Sequence, residues 1–256
     1  MIHPTAIVHP KAEVSKDCEI GPYSVVHEGV SLGKGCRLHS HVVIEGPAQI
    51  GEKNEFFPFS SIGQKTQDLK YRGEPTYLVI GDHNTFREYV TIHRATSPGN
   101  KTIIGSHNTI LAYSHIAHDC VLGNHIIMSN CGTLAGHVTL EDHVVIGGLT
   151  AVHQFCRLGK FAFTGGCSKV VQDIPPFMMA DGNPAEVRTI NKVGLERNGI
   201  SEEAQKQLRT AFKLLYRESK LNIGDAIAEI RKNSPLTPEV VYLCDFVEKS
   251  GRGISR

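Results

Sequence analysis

The sequence predicts a mainly β protein: a parallel solenoid of short strands over residues 1–186, followed by a small α-helical domain over residues 187–256. Three observations predict it. A large apolar side chain recurs every six residues from Ile2 to Val170, and the residue two positions before it is nearly always small or β-branched. Beyond Val170 the six-residue beat gives way to proline and glycine and then to helical spacing.

The beat runs through Val8, Val14, Ile20, Val26, Leu32, Leu38, Ile44, Ile50, Phe56 and Ile62. It resumes in phase at Ile80, Phe86 and Ile92, and again from Ile104 through Ile116, Leu122, Met128, Leu134, Ile146, Val152 and Leu158. Only Asp68, Glu74, Pro98 and Thr164 break it. The second track begins Ala6, Ala12, Cys18, Ser24, Val30, Cys36, Val42, Ala48. Side chains two apart on a strand share a face, so both tracks point inward. Strands this short bury nothing alone and must stack as coils about 4.8 Å apart. Glycine often follows the beat (Gly21, Gly33, Gly51, Gly81, Gly105, Gly123, Gly147, Gly159), which suggests corners that need freedom in φ. Cys18, Cys36, Cys120 and Cys156 lie on the small track and read as core residues.

Two stretches leave the beat. Residues 64–79, QKTQDLKYRGEPTYLV, and residues 95–101, ATSPGNK, are polar and read as loops leaving the stack, a common home of binding residues. Residues 172–187, QDIPPFMMADGNPAEV, read as a loop and domain boundary. Then Ser201 caps a helix with Glu202 and Glu203 in its first turn and an apolar stripe of Leu208, Phe212, Leu215 and Tyr216. A second helix covers Ile223 to Arg231, and a third starts at Thr237 with Pro238 at its first position. Arg209, Lys213, Arg217 and Lys220 read as a solvated face, with an acidic partner as the sharper alternative.

Charge and cysteine content narrow the function classes. With 27 basic against 26 acidic residues, nothing points to general nucleic-acid binding. Seven cysteines without a CxxC pair argue for a reducing, cytoplasmic setting rather than a disulfide framework or a zinc knuckle. No secretory signal is visible in MIHPTAIVHPKAEV, and no run approaches the roughly 20 apolar residues of a membrane span.

The chemistry gathers between positions 93 and 153, where histidines are dense and lie off the core tracks. If a coil is three hexads long, Ile116, Leu134 and Val152 share one face of successive coils. The loops carrying His118, His137 and His153 then stack within reach of one ligand. The beat alone leaves the number of sides open, and this register does not carry back across the loops to His93. His118 and Asp119 form the strongest pair: an unperturbed imidazole titrates at about 6.5, suited to a general base, and a carboxylate can fix its tautomer.

Seven motifs together closely resemble a known family: QDLKYRGEP at 67–75, TIHR at 91–94, HIAHDC at 115–120, LAGHV at 134–138, AVHQFC at 151–156, QDIPP at 172–176 and DGNP at 181–184. It is the bacterial acyl carrier protein–UDP-N-acetylglucosamine O-acyltransferases, which start lipid A biosynthesis. The resemblance covers essentially the whole chain. It implies a homotrimer of left-handed parallel β-helices with sites between subunits, although the general crossover rule favours a right-handed connection. It implies His118 as the base that deprotonates the sugar 3-hydroxyl, Asp119 as its orienter and the Gly136 N–H as oxyanion donor. It also implies that Gln67, Asp68, Lys70, His93, His115 and His137 line the sugar-nucleotide and acyl sites. His153 and Gln154 would be contacts at the next coil, Gly166 the floor of the acyl groove, and Asn191 and Arg197 nucleotide contacts from a neighbouring subunit. Val193 stands where that family can carry an acidic residue. The expected partners are an acyl carrier protein bearing a 3-hydroxyacyl chain and UDP-N-acetylglucosamine, with no metal or other cofactor.

Three rival readings remain. A relative that acylates the amine of the pathway's next sugar shares the solenoid but has an extra N-terminal domain. A coenzyme A-dependent hexapeptide enzyme is a second. A γ-type carbonic anhydrase, with His115 and His118 among three histidines gripping zinc, is the third.

Overall fold

Burial follows the two tracks. The computed structural model describes residues 1–217, 221–233 and 235–256, so Lys220 lies outside the described residues. Outside the two polar stretches every beat residue from Ile20 to Val170 is buried, and so is every small-track residue from Cys18 to Ser168. Thr164, the polar beat, is buried too, and its Oγ1 accepts from the Gly147 N–H at 3.1 Å. The solenoid has three faces of parallel strands. The first runs from Ile7–Val8 to Lys169–Val170, the second from Glu13–Val14 to Arg157–Leu158, and the third from Glu19–Ile20 to Phe163–Thr164. Ile116 pairs with Leu134 and Leu134 with Val152 on the first face, so a coil is the expected three hexads.

The core combines apolar layers with a polar ladder. Phe56 and Phe86 stack with centroids 5.0 Å apart. Asn54, Asn84 and Asn108 occupy successive small-track positions: Asn84 Nδ2 donates to Asn54 Oδ1 at 2.9 Å, and Asn84 Oδ1 accepts from the Asn108 N–H at 2.9 Å. Their amides therefore hydrogen-bond one coil to the next, as buried polar groups must. The cysteines of this track do the same more weakly; Cys120 Sγ donates to Ala135 O at 3.2 Å.

The glycines after the beat serve a different purpose from the one their sequence position suggests. None of the eight has a positive φ; a side chain is excluded because the next coil is too close. A Cβ on Gly33 would lie 2.5 Å from the carbonyl of Gly51. The left-handed conformation falls instead three residues after the beat, mostly at residues with full side chains such as Tyr89, His107, Asp119 and His137. Such a residue costs about 1–2 kcal/mol, and stacking with the same position on the next coil, about 0.5–1.5 kcal/mol, offsets much of it. Tyr23, His41, Phe59, Tyr89 and Tyr113 stack in this way along the third-to-first edge, with centroids 4.8 to 5.1 Å apart.

Both polar stretches leave the stack at the same edge. The first joins Ser61–Gln64 on the first face to Tyr77–Ile80 on the second, and the other joins Thr91–His93 to Lys101–Ile104. Ile62 pairs with Ile92 and Ile92 with Ile116, so the coil register passes through both insertions and brings His93 to the same edge as His118.

Residues 172–187 are not a simple loop. Met178–Gly182 pairs with Phe163–Thr164 on the third face and turns back as an antiparallel hairpin with Ala185–Ile190, which reaches across the 186/187 boundary. Gly182, at φ 105°, and Pro184 form the tip of that hairpin, while Pro175 and Pro176 precede its first strand. Helices α1 (Lys192–Arg197), α2 (Glu202–Tyr216), α3 (Ile223–Lys232) and α4 (Pro238–Glu248) follow. Ser201 caps α2 by accepting from the Ala204 N–H at 3.2 Å, and Leu208 and Leu215 bury its apolar stripe. Helix α1 is too short to announce itself by periodicity.

Candidate active site

The edge between the first and second faces carries most of the predicted residues. Asp119 occupies a left-handed corner (φ 59°), a conformation that His137 and Phe155 repeat on the next two coils, and its N–H donates to Thr102 Oγ1 at 2.9 Å. Its carboxylate turns back on its neighbour: Asp119 Oδ2 lies 2.9 Å from His118 Nδ1. The sequence left open whether these adjacent side chains touch, and they do. The carboxylate is 5% exposed and the imidazole 14%. With Nδ1 facing the carboxylate, Nε2 is the nitrogen left for a substrate proton.

One coil further on, Gly136 meets the imidazole of His118. A Cβ there would lie 2.4 Å from Cε1 and 2.6 Å from Nε2, so only glycine admits the ring. The Gly136 N–H donates to no partner among the described residues. His137 stands edge-on to His118, with centroids 5.3 Å apart, and stacks on Phe155. Its Nε2 is 3.8 Å from Asp119 Oδ2.

His93 and His115 complete the same edge. Their rings meet at 4.9 Å, nearly perpendicular, and His115 Nδ1 lies 2.7 Å from Thr91 Oγ1. Burial and then the fields of His115 and His118 push the imidazole of His93 down to about 4, so it is neutral at ordinary pH. His115 is lowered too, by burial first and by His118 second. Asp68 on the first insertion is held below the usual carboxylate range, chiefly by the Lys70 N–H. The charges of His118 and His137 contribute, which puts Asp68 within their reach. Gln67 and Lys70 flank it and are exposed, as are His153 and Gln154 two coils beyond His118. His153 Nδ1 lies 3.4 Å from Arg252 Nη2.

Three predicted residues stand elsewhere on the chain. Gly166 lies on the third-to-first edge, exposed, after Phe163–Thr164. Asn191 caps α1, accepting from the Gly194 N–H, and donates to Phe161 O on the second-to-third edge. Arg197 ends the same helix, exposed. One chain therefore does not bring them to His118. Histidine density also overstated the site: of the eight histidines from 93 to 153, His107, His125 and His143 stack with His83 on the second-to-third edge.

Sequence reasoning missed Thr66, Thr96 and Asn100. Thr96 N–H donates to Asp119 Oδ2 at 3.0 Å, and Asn100 Nδ2 approaches Oδ1 at 3.4 Å. Only the break in the beat marked their region. Among the described residues, His118, Asp119 and His137 could grip a metal ion, their ligand atoms lying within 4.8 Å of one another. His115, which the carbonic anhydrase reading needed, is not in that group.

The arrangement sets an imidazole against a carboxylate, with a backbone N–H that has no partner among the described residues nearby, groups that acyl transfer to a hydroxyl can use. Comparisons with known proteins find acyltransferases. A family model described as "Udp N-acetylglucosamine O-acyltransferase; Domain 2" matches residues 173–255, and one described as "Bacterial transferase hexapeptide (six repeats)" matches residues 11–46. The chain is 51% identical over 256 residues to the acyl-[acyl-carrier-protein]–UDP-N-acetylglucosamine O-acyltransferase of Thermodesulfovibrio yellowstonii, covering 100% of this chain and 99% of that one. It is 46% identical over 257 residues to the enzyme of the same name from Stutzerimonas stutzeri, with the same coverage. The solved structure of the UDP-N-acetylglucosamine acyltransferase from Bacteroides fragilis aligns with a TM-score of 0.97 at 36% identity, covering 100% of both chains. Such structures are left-handed β-helices with a C-terminal helical domain, so the hand expected from the resemblance holds against the general crossover rule.

Proposed function

Because the chain belongs to the acyl carrier protein–UDP-N-acetylglucosamine O-acyltransferase family, we propose that it moves an (R)-3-hydroxyacyl group from acyl carrier protein to the glucosamine 3-hydroxyl, with His118 as general base. This acyl transfer is the first step of lipid A biosynthesis. His118 Nε2 takes the hydroxyl proton as the sugar oxygen attacks the thioester carbonyl. Asp119 holds Nδ1–H and stabilises the imidazolium. The Gly136 N–H receives the oxyanion of the tetrahedral intermediate. Collapse breaks the carbon–sulfur bond, and the imidazolium returns its proton to the departing thiolate. The observation that carries this reading is the 2.9 Å contact between His118 and Asp119.

Asp68, with Gln67 and Lys70, holds the sugar nucleotide beside His93, His115 and His137, and His153 and Gln154 meet the substrates at the next coil. Gly166, Asn191 and Arg197 serve the site from a neighbouring copy in a homotrimer. Their separation from His118 on the prism supports this, since residues on three edges converge only where edges of different copies face one another. The β-helix, residues 1–186, carries the chemistry, and the helical domain, residues 187–256, receives the carrier protein. Arg209 and Lys213 on α2, with Arg217 at its C-terminal cap, form an exposed cationic row suited to an acidic partner. No helix among the described residues is long and apolar enough to cross a membrane, and the reaction takes place in the bacterial cytoplasm.

The test is mass spectrometry of products from mixed 3-hydroxyacyl carrier proteins and UDP-N-acetylglucosamine. The native chain yields the 3-O-acyl sugar nucleotide, and His118→Ala falls by about 100-fold or more. Full activity in that variant would remove His118 from the mechanism.

A further inference from the structure

The two insertions at the His118 edge are tied to each other as well as to the coil. Thr66 Oγ1 and Thr96 Oγ1 lie 2.8 Å apart, and both residues are buried, at 5% and 7% exposure. Backbone bonds flank the pair: Arg94 N–H donates to Gln64 O at 2.9 Å and Gly99 N–H to Pro75 O at 2.9 Å. Each threonine then reaches an acidic residue of the site, Thr66 at its backbone and Thr96 at its carboxylate. Thr66 Oγ1 accepts from the N–H of Asp68 at 3.0 Å. Thr96 donates its N–H to Asp119 Oδ2 at 3.0 Å, the same oxygen that faces His118 Nδ1.

A carboxylate that orients a base must itself be held, because an error of about 1 Å at the reacting atoms costs on the order of 100-fold in rate. Asp119 sits on a corner of the rigid coil, but the donor opposite the imidazole comes from an insertion outside the stack. An insertion loses chain entropy when ordered, and only its own contacts fix it. The buried hydroxyl pair is such a contact, and it is common to both insertions.

We propose that Thr66 and Thr96 are positioning residues that act through Asp119 and Asp68, coupling the loop that holds the sugar nucleotide to the pair that deprotonates it. This rests on the reading of His118 and Asp119 given above. Thr66 holds the backbone of Asp68 by accepting from its N–H, Thr96 sets the N–H that steers the Asp119 carboxylate, and the bond between their hydroxyls fixes one loop against the other.

The experiment is a double-mutant cycle on the full chain. Thr66→Val removes the hydroxyl at nearly constant volume. We expect kcat to fall about tenfold and KM for UDP-N-acetylglucosamine to rise several-fold, with Thr66→Ser restoring both to within about twofold. In an Asp119→Ala background Thr66→Val should cost no further kcat, because the route to the base is already cut. Thr96→Val repeats the cycle from the other hydroxyl, so failure of one variant to fold leaves the other to decide. Independent, multiplying losses, or native kcat in both valine variants, would overturn the proposal. If Asp119→Ala and His118→Ala were themselves fully active, the functional reading would fail first, and the two failures are thus told apart.

Discussion

Gly136 lies so close to the His118 imidazole that a Cβ at position 136 would stand 2.6 Å from Nε2, the nitrogen proposed to take the substrate proton. Any side chain there displaces the ring. Gly136→Ala is therefore expected to lower kcat about 100-fold, while overpacking costs the fold only about 1–3 kcal/mol. Steady-state kinetics beside thermal unfolding separate the two effects. Native kcat in the alanine variant would show that the ring has room the structure denies it.

His93 should make the fold acid-sensitive. Burial holds its imidazole at about 4 in the folded chain, whereas an unfolded histidine titrates at about 6.5. Between those values the unfolded chain takes up a proton that the folded chain refuses. Stability is thus fully present above about pH 6.5 and is lost as pH falls toward 4, by roughly 3 kcal/mol at most. Urea midpoints of native chain and His93→Asn across that window should converge as the pH drops. Parallel curves would mean that His93 takes up its proton as readily in the folded chain as in the unfolded one.

Gly166 offers a test of chain length. It is exposed, and a Cβ there meets only Gly148 O, at 3.3 Å, so a larger side chain asks the coil for a shift of no more than a few tenths of an ångström. If this edge floors the acyl groove of a neighbouring copy, Gly166→Met should shift preference to shorter 3-hydroxyacyl chains. Each excluded methylene should change kcat/KM by about tenfold or more. Competition among carrier proteins of different acyl length measures it, and an unchanged product distribution would take Gly166 out of the groove.

The beat made the coil legible because a solenoid repeats one local decision: a large side chain inward, a small one two residues earlier, then a corner. Ile116, Leu134 and Val152 could be set on one face by counting. The same repetition hid the reason for Gly33, since close approach and conformational freedom favour the same residue. It also made His107, His125 and His143 look like chemistry when they are rungs of a stack. Helical spacing revealed α2 through Ser201, Leu208 and Leu215, but six residues from Lys192 to Arg197 are too few for a period to emerge.

By itself the sequence determined the solenoid, the helical tail and the adjacency of His118 and Asp119, since each is encoded in neighbours along the chain or in a fixed repeat; that the two side chains meet was left to the fold. Tertiary structure alone decided that both insertions leave at one edge, so that Thr96, twenty-three residues before Asp119, steers its carboxylate. It also decided that Gly166 and Asn191 stand away from His118 on the same chain. Spacing in sequence fixes position around a coil only while the beat holds; where it breaks, the chain's path is set by the hydrogen bonds its loops find on folding.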